Sequence, residues 1–191
     1  MSAPPLPPGA RYIEGVLDPA QAEAHLARLV AETPWEHHTF TLFGRTVPMP
    51  RLIQMYGPHG YNYSGVHHPP RPLTPQLQDL LRVVSEAAGA PFNSVLLNLY
   101  RDGQDSMSWH SDDDYPHAGH SAIGSLSLGA TRRFRFRKRA AKGETLSLDL
   151  ESGSVLVMDG AARAEWQHAL PKSARPLGPR VNLTFRFMAG P

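Results

Sequence analysis

Apolar positions along the chain change period near residue 90. Before it lie two helical patterns. In DPAQAEAHLARLVAET, Leu26, Leu29 and Val30 fall on one predicted helix face, Asp18 is placed to cap it, and Pro19 stands at the first helical position. In TPQLQDLLRVVSEAAG, Thr74 caps, Pro75 starts, Leu77, Leu80, Leu81 and Val84 make the stripe, and Gly89 ends it. Between the helices, HTFTLFGRTVPMPRLIQMYGPHGYNYSG is aromatic and broken by Pro and Gly, which predicts a hairpin around Phe43–Gly44 and then an irregular, tyrosine-bearing stretch.

After Gly89 the period shortens to two. SVLLNLYR, SAIGSLSLG, RRFRFRKR, TLSLDL, SVLVMDG and RVNLTFRF are short β-rich runs separated by turn residues. Two helices followed by many strands predict an α+β, mainly β domain whose β part is a sandwich or jelly roll. No repeat and no second domain is visible. The Pro-rich start, residues 1–10, reads as a disordered lead-in to a single domain over 11–191.

Composition narrows the function classes. The 191 residues are 41% apolar, carry a formal net charge of +2 and contain no cysteine. Disulfides, thiolate nucleophiles and cysteine-based metal centres are therefore excluded. The isoelectric point near 9.1 permits a polyanionic partner. No apolar run is long enough for a membrane span, and the N-terminus lacks the features of a signal peptide. The expectation is a monomeric protein of the cytoplasm.

WHSDDDYPHAGHS crowds three histidines and three aspartates into thirteen residues. On an extended segment, the i, i+2 spacing of His110 and Asp112 puts both side chains on one face, about 6–7 Å apart. A third ligand would complete a two-histidine, one-carboxylate set, which leaves coordination positions open and is typical of non-haem Fe(II) oxygenases. His117 and His120 are local candidates, and His168 in EWQHALPKS is a distant one. A rigid site is better built from separate strands, which favours His168.

RVNLTFRF alternates strictly, with Arg180, Asn182, Thr184 and Arg186 on one face and Val181, Leu183, Phe185 and Phe187 on the other. Buried arginines need anions. Residues 180 and 186 stand about 20 Å apart on a strand, so two inward-leaning arms leave a gap fit for a short dicarboxylate. Asn98 and Tyr100 in SVLLNLYR are placed to donate hydrogen bonds to the same ligand. A solvated edge strand is the alternative.

Taken together, NLYRDGQDSMSWHSDDD, WQHALP and PRVNLTFR resemble the AlkB family of Fe(II)- and 2-oxoglutarate-dependent dioxygenases. FGRTVPMPR, YNYSG and GATRRFRFR extend the resemblance from about Phe40 to the C-terminus, closest to the branch that repairs alkylated DNA. It implies a double-stranded β-helix, a jelly roll over about 92–190, with N-terminal helices and a nucleotide-recognition lid over about 36–68. His110, Asp112 and His168 would hold Fe(II). Arg180, Tyr100, Asn182 and Thr184 would hold the distal carboxylate of 2-oxoglutarate, with Arg186 and Asn98 at the metal-chelating end. Ser111 and Asp114 depart from close relatives, which often carry a basic residue and Glu there.

The implied chemistry is oxidative demethylation of N-alkylated bases such as 1-methyladenine and 3-methylcytosine, consuming O₂ and 2-oxoglutarate, with the base flipped out of DNA. Tyr61 and Tyr63 are candidates to clamp that base, Asp113 and Asp114 to read its exocyclic edge, and Phe43 to wedge into the stack. Seven cations between Arg132 and Lys142, Arg137 among them, would suit phosphates, a solvated basic edge being the alternative, and Arg51 and Arg101 are further candidates for phosphate or base contact. The competing readings are the same chemistry on RNA or protein, a non-catalytic nucleic-acid-binding jelly roll, and a zinc hydrolase.

Overall fold

The computed structural model describes residues 5–42, 44–63, 66–112, 122–140, 143 and 145–189. In chain order the elements are β1 (Ala10–Ile13), α1 (Pro19–Glu32), β2 (Glu36–Leu42), β3 (Arg45–Tyr56), β4 (Tyr61–Tyr63), β5 (Val66–His68), α2 (Pro75–Ala88), β6 (Ser94–Tyr100), β7 (Met107–His110), β8 (Ile123–Gly129), β9 (Arg132–Lys138), β10 (Thr145–Leu150), β11 (Val155–Met158), α3 (Ala161–Ala164), β12 (Trp166–Leu170) and β13 (Arg180–Arg186). Seven strands form one antiparallel sheet in the order β1-β11-β8-β13-β6-β3-β2, and four form a second in the order β10-β9-β12-β7. This is the mainly β, few-helix jelly-roll architecture expected from the strand pattern.

Alternation explains why the two sheets face each other. On β13 the odd residues Val181, Leu183 and Phe185 join Leu97, Leu126, Val155 and the helix residues Ala22, Leu29, Leu80 and Val84 in one core. The even residues of β13 turn toward the four-stranded sheet. Between the sheets, one half is filled by Phe136, Leu148, Leu150, Leu156 and Trp166. The other half is left to polar side chains, and there the pocket forms.

Both helices start as their sequences demand. Asp18 accepts from the Gln21 amide, and Gln21 returns a contact to the Asp18 N–H, a reciprocal cap. Thr74 caps α2, and Gly89 closes it at φ 64°, a left-handed conformation that glycine adopts without strain. The expected α1 face needs correction. Ala22 and Leu29, seven residues apart, are buried, whereas Val30 is 37% exposed. Two neighbours on a helix are 100° apart, so Leu29 and Val30 do not share the centre of one stripe.

Four other expectations change. Residues 1–10 are not a loose lead-in throughout: Leu6 packs on the inter-sheet core, the Gly9 carbonyl accepts from Asp159, and β1 starts at Ala10 against β11. β2 and β3 form the expected hairpin, yet β3 also pairs with β6, so the hairpin extends the main sheet. The stretch expected to be irregular holds a small ribbon, β4–β5. Finally, β7 ends at His110, so Asp112 sits past the strand on a bend, and the i, i+2 argument holds for proximity but not for a shared strand face.

Candidate active site

His110 and His168 are cross-strand partners in the β7–β12 ladder, with ring centroids 4.2 Å apart. The chain beyond β7 bends Asp112 back over both. Its Oδ2 lies 3.4 Å from His168 Nε2 and its Oδ1 lies 4.0 Å from His110 Nε2. One ligand atom from each residue falls within 4.8 Å of the others. Ligand bonds to one ion are near 2.1 Å, so side-chain shifts of about an ångström or less bring all three to it.

The donor set is prepared for a cation. His110 Nδ1 meets the Ser108 carbonyl at 2.8 Å. A carbonyl only accepts, so the proton is on Nδ1 and Nε2 keeps its lone pair. Burial also pushes the His110 imidazolium down, favouring the neutral ring. Burial alone would raise the Asp112 carboxyl, but Arg186, both histidines and Arg163 outweigh it and hold it at about 2. Arg186 donates to Asp112 Oδ1 at 2.6 Å, and Arg163 of α3 grips the Asp112 backbone carbonyl at 2.7 Å. Phe134 stacks on His168 at 5.2 Å and walls the site.

From this cluster a cavity of about 150 Å³ runs along the even face of β13. Thr184 donates to Asn182 Oδ1, and Asn182 donates to Ser125 Oγ and the Leu126 carbonyl. Arg51 of β3 donates to Asn98 Oδ1 at 2.9 Å. Arg180 closes the far end. It is 2% exposed, donates to Ser127 Oγ at 2.9 Å, and lies over the Tyr100 ring. Its Nε is buried without a partner, and no carboxylate among the described residues reaches it. Burial, with Arg132 nearby, pulls its guanidinium down to about 10, still charged at neutrality. A buried cation with an idle donor calls for an anion.

The pocket thus gathers His110, Asp112, His168, Asn98, Tyr100, Arg180, Asn182, Thr184, Arg186 and Arg51. The open choice at β13 is decided: it is central, between β6 and β8, and its arginines point inward. Other candidates are elsewhere. Arg101 is held in a two-bond pair with Asp105, which the loop after β6 buries. Arg132 is no phosphate ligand: its parity turns it inward, where its donors serve the carbonyls of Asp102, Asp105 and Pro171. Arg137 is on the outer face of the small sheet. Tyr61 and Tyr63 lie in β4, with backbone alone described. Phe43, Asp113, Asp114, His117 and His120 lie outside the described residues. Sequence reading missed Ser125, Met107 and Phe134 in the lining and Ser127 behind Arg180. The signal was present in SLSLG, where alternate serines interrupt an apolar strand.

Residues 9–186 match the family model of the 2OG-Fe(II) oxygenase superfamily. The chain is 39% identical over 181 residues to alpha-ketoglutarate-dependent dioxygenase alkB homolog 3 of Homo sapiens, covering 90% of this chain and 63% of that protein. It is 40% identical over 154 residues to DNA oxidative demethylase ALKBH2 of Mus musculus, covering 76% and 64%. The chain thus spans just under two thirds of these curated relatives. The solved structure of OsALKBH1 aligns over 98% of both chains at a TM-score of 0.71 and 17% identity, a likeness of fold.

Proposed function

The chain belongs to the 2OG-Fe(II) oxygenase superfamily, and on that footing we propose that it is an oxidative demethylase repairing N-alkylated bases, such as 1-methyladenine and 3-methylcytosine, in DNA. One observation carries the reading. A two-histidine, one-carboxylate cluster opens into the same cavity as a buried arginine that no carboxylate among the described residues reaches. A zinc hydrolase would have no use for that arginine. The names of the mouse ALKBH2 and human alkB homolog 3 relatives support the chemistry.

His110, Asp112 and His168 would hold Fe(II), which when bound supplies oxidation of an N-methyl carbon at the expense of O₂ and 2-oxoglutarate, giving formaldehyde, CO₂ and succinate. The chain's own residues bind and orient. Arg180 takes the distal carboxylate of the co-substrate on its idle donor, beside Tyr100, Asn182 and Thr184. Arg186 keeps Asp112 ionised, and the Ser108 carbonyl keeps the His110 lone pair aimed inward. Phe134, Met107 and Leu170 give the cavity apolar walls. A base stacked in a duplex cannot reach such a site, so the substrate nucleotide is flipped or single-stranded.

The test is succinate and formaldehyde release from the full chain with Fe(II), 2-oxoglutarate and a panel of methylated DNA, RNA and peptides. Formaldehyde from the methylated DNA is expected. Turnover of RNA or peptide alone moves the substrate. No succinate under any condition, with DNA binding intact in His110→Ala, leaves a non-catalytic binding module.

A further inference from the structure

On the outer face of the four-stranded sheet, Arg133, Arg135 and Arg137 of β9 point the same way, but their surroundings differ. Arg133 stands opposite Asp149 on β10 and pairs with it through two hydrogen bonds. Arg135 faces Ser147 and Ala169, and Arg137 faces Thr145 and Gln167, so neither has an acid across the ladder. Both instead lie over the Trp109 ring, with guanidinium carbons 5.8 and 4.5 Å from its centroid. Ala169, a small residue, lies in the β12 ladder between β9 and β7, leaving room for the indole. Gln167 accepts two hydrogen bonds from Arg137 through its neutral oxygen. Exposed Lys172 lines the same shallow depression with Trp109 and Arg135. No carboxylate among the described residues neutralises these three cations.

We propose that Arg135, Arg137 and Lys172, arranged around Trp109, form a docking surface for the phosphodiester backbone of a single nucleic-acid strand. Arginines i, i+2 apart on a strand stand about 7 Å from each other, so an anion bound between them would relieve their mutual repulsion. Stacking on the indole fixes each guanidinium fork in advance, so little side-chain freedom is lost when a phosphate binds. The surface is indexed to the pocket. Trp109 faces outward on β7 while its neighbour His110 faces the metal cluster, so phosphates held at the arginines set which nucleotide reaches the cavity. This deepens the demethylase reading and rests on it for the identity of the strand.

The experiment is fluorescence-anisotropy binding of an unmethylated single-stranded oligonucleotide to the full chain across a salt series, without iron or 2-oxoglutarate. Arg135→Gln with Arg137→Gln is expected to reduce the slope of log affinity against log salt by about 1.4, at 0.7 per phosphate contact. Arg133→Gln, on the same face but already paired, leaves the slope unchanged. Melting curves check that both variants fold. A wild-type slope in the double variant, an equal loss in Arg133→Gln, or no oligonucleotide binding by the wild type overturns the proposal. Binding through the arginines without formaldehyde release from any methylated substrate keeps the surface and removes the demethylase reading.

Discussion

The two ends of the β13 pocket carry an arginine each, and the two are in opposite electrostatic states. At one end Arg186 is paired with Asp112 inside the protein. At the other, Arg180 is equally buried, and its partners Ser127 and Tyr100 are neutral. Arg132, the next cation, has its donors committed to three carbonyls. At the metal end Asp112 thus offsets Arg186 before any ligand arrives, and at the far end no carboxylate among the described residues does the same for Arg180. A protein keeps a bare buried charge where a ligand completes it, which makes Arg180 the residue that most constrains what the cavity can hold.

The widest difference between the ends is expected from removing Asp112. Asp112→Ala takes a metal donor and strands Arg186 at once. Mn(II) or Co(II) affinity by calorimetry should fall at least about 100-fold, and chemical denaturation should show a loss of about 3–5 kcal/mol. Next come the arginines themselves. Arg186→Met should cost about 3 kcal/mol, because it leaves a buried carboxylate alone, whereas Arg180→Met should leave the ligand-free protein unchanged or about 1 kcal/mol more stable. Equal losses at both positions would abolish the contrast.

The same asymmetry can be read from ligands. Glutarate at a hundredfold its dissociation constant should stabilise the wild type by about 2.7 kcal/mol, and Arg180→Met should lose that gain. The smallest effect concerns the Arg101–Asp105 pair beside the Arg180 end. Burial raises the Asp105 carboxyl, but the Arg101 contacts outweigh it and leave it below its ordinary value. A depressed carboxylate stabilises the fold above about pH 4 and loses that contribution as pH falls lower. Acid titration of stability should therefore be shallower in Asp105→Asn than in the wild type.

Much of this was legible along the chain. The period-two run from Arg180 to Phe187 announced a strand with one polar face, and its Arg-x-Asn-x-Thr-x-Arg spacing put an arginine at each end of that face. Asp18, Thr74 and Gly89 marked the helix ends by local hydrogen bonding that needs no distant partner. The short strands β1, β7 and β12 were harder, because four or five residues carry too little periodicity and their ladders are made with remote segments. The cations of β9 show the same limit. Their spacing sorts Arg132 from the odd-numbered arginines, but only the neighbouring strands decide that Arg133 meets Asp149 and Arg135 meets Trp109.

By itself, then, the sequence determined the two long helices and the longer strands, the alternation within those strands and the kinds of donor available for chemistry. Those depend on bond geometry and on neighbours a few residues away. The tertiary structure decided which way the polar face of β13 turns, which histidine joins His110 and Asp112, and that Arg186 meets a carboxylate while Arg180 meets none among the described residues. Those depend on strand order and on what the opposing sheet presents across the cavity, and charge compensation acts through space between residues up to 74 positions apart.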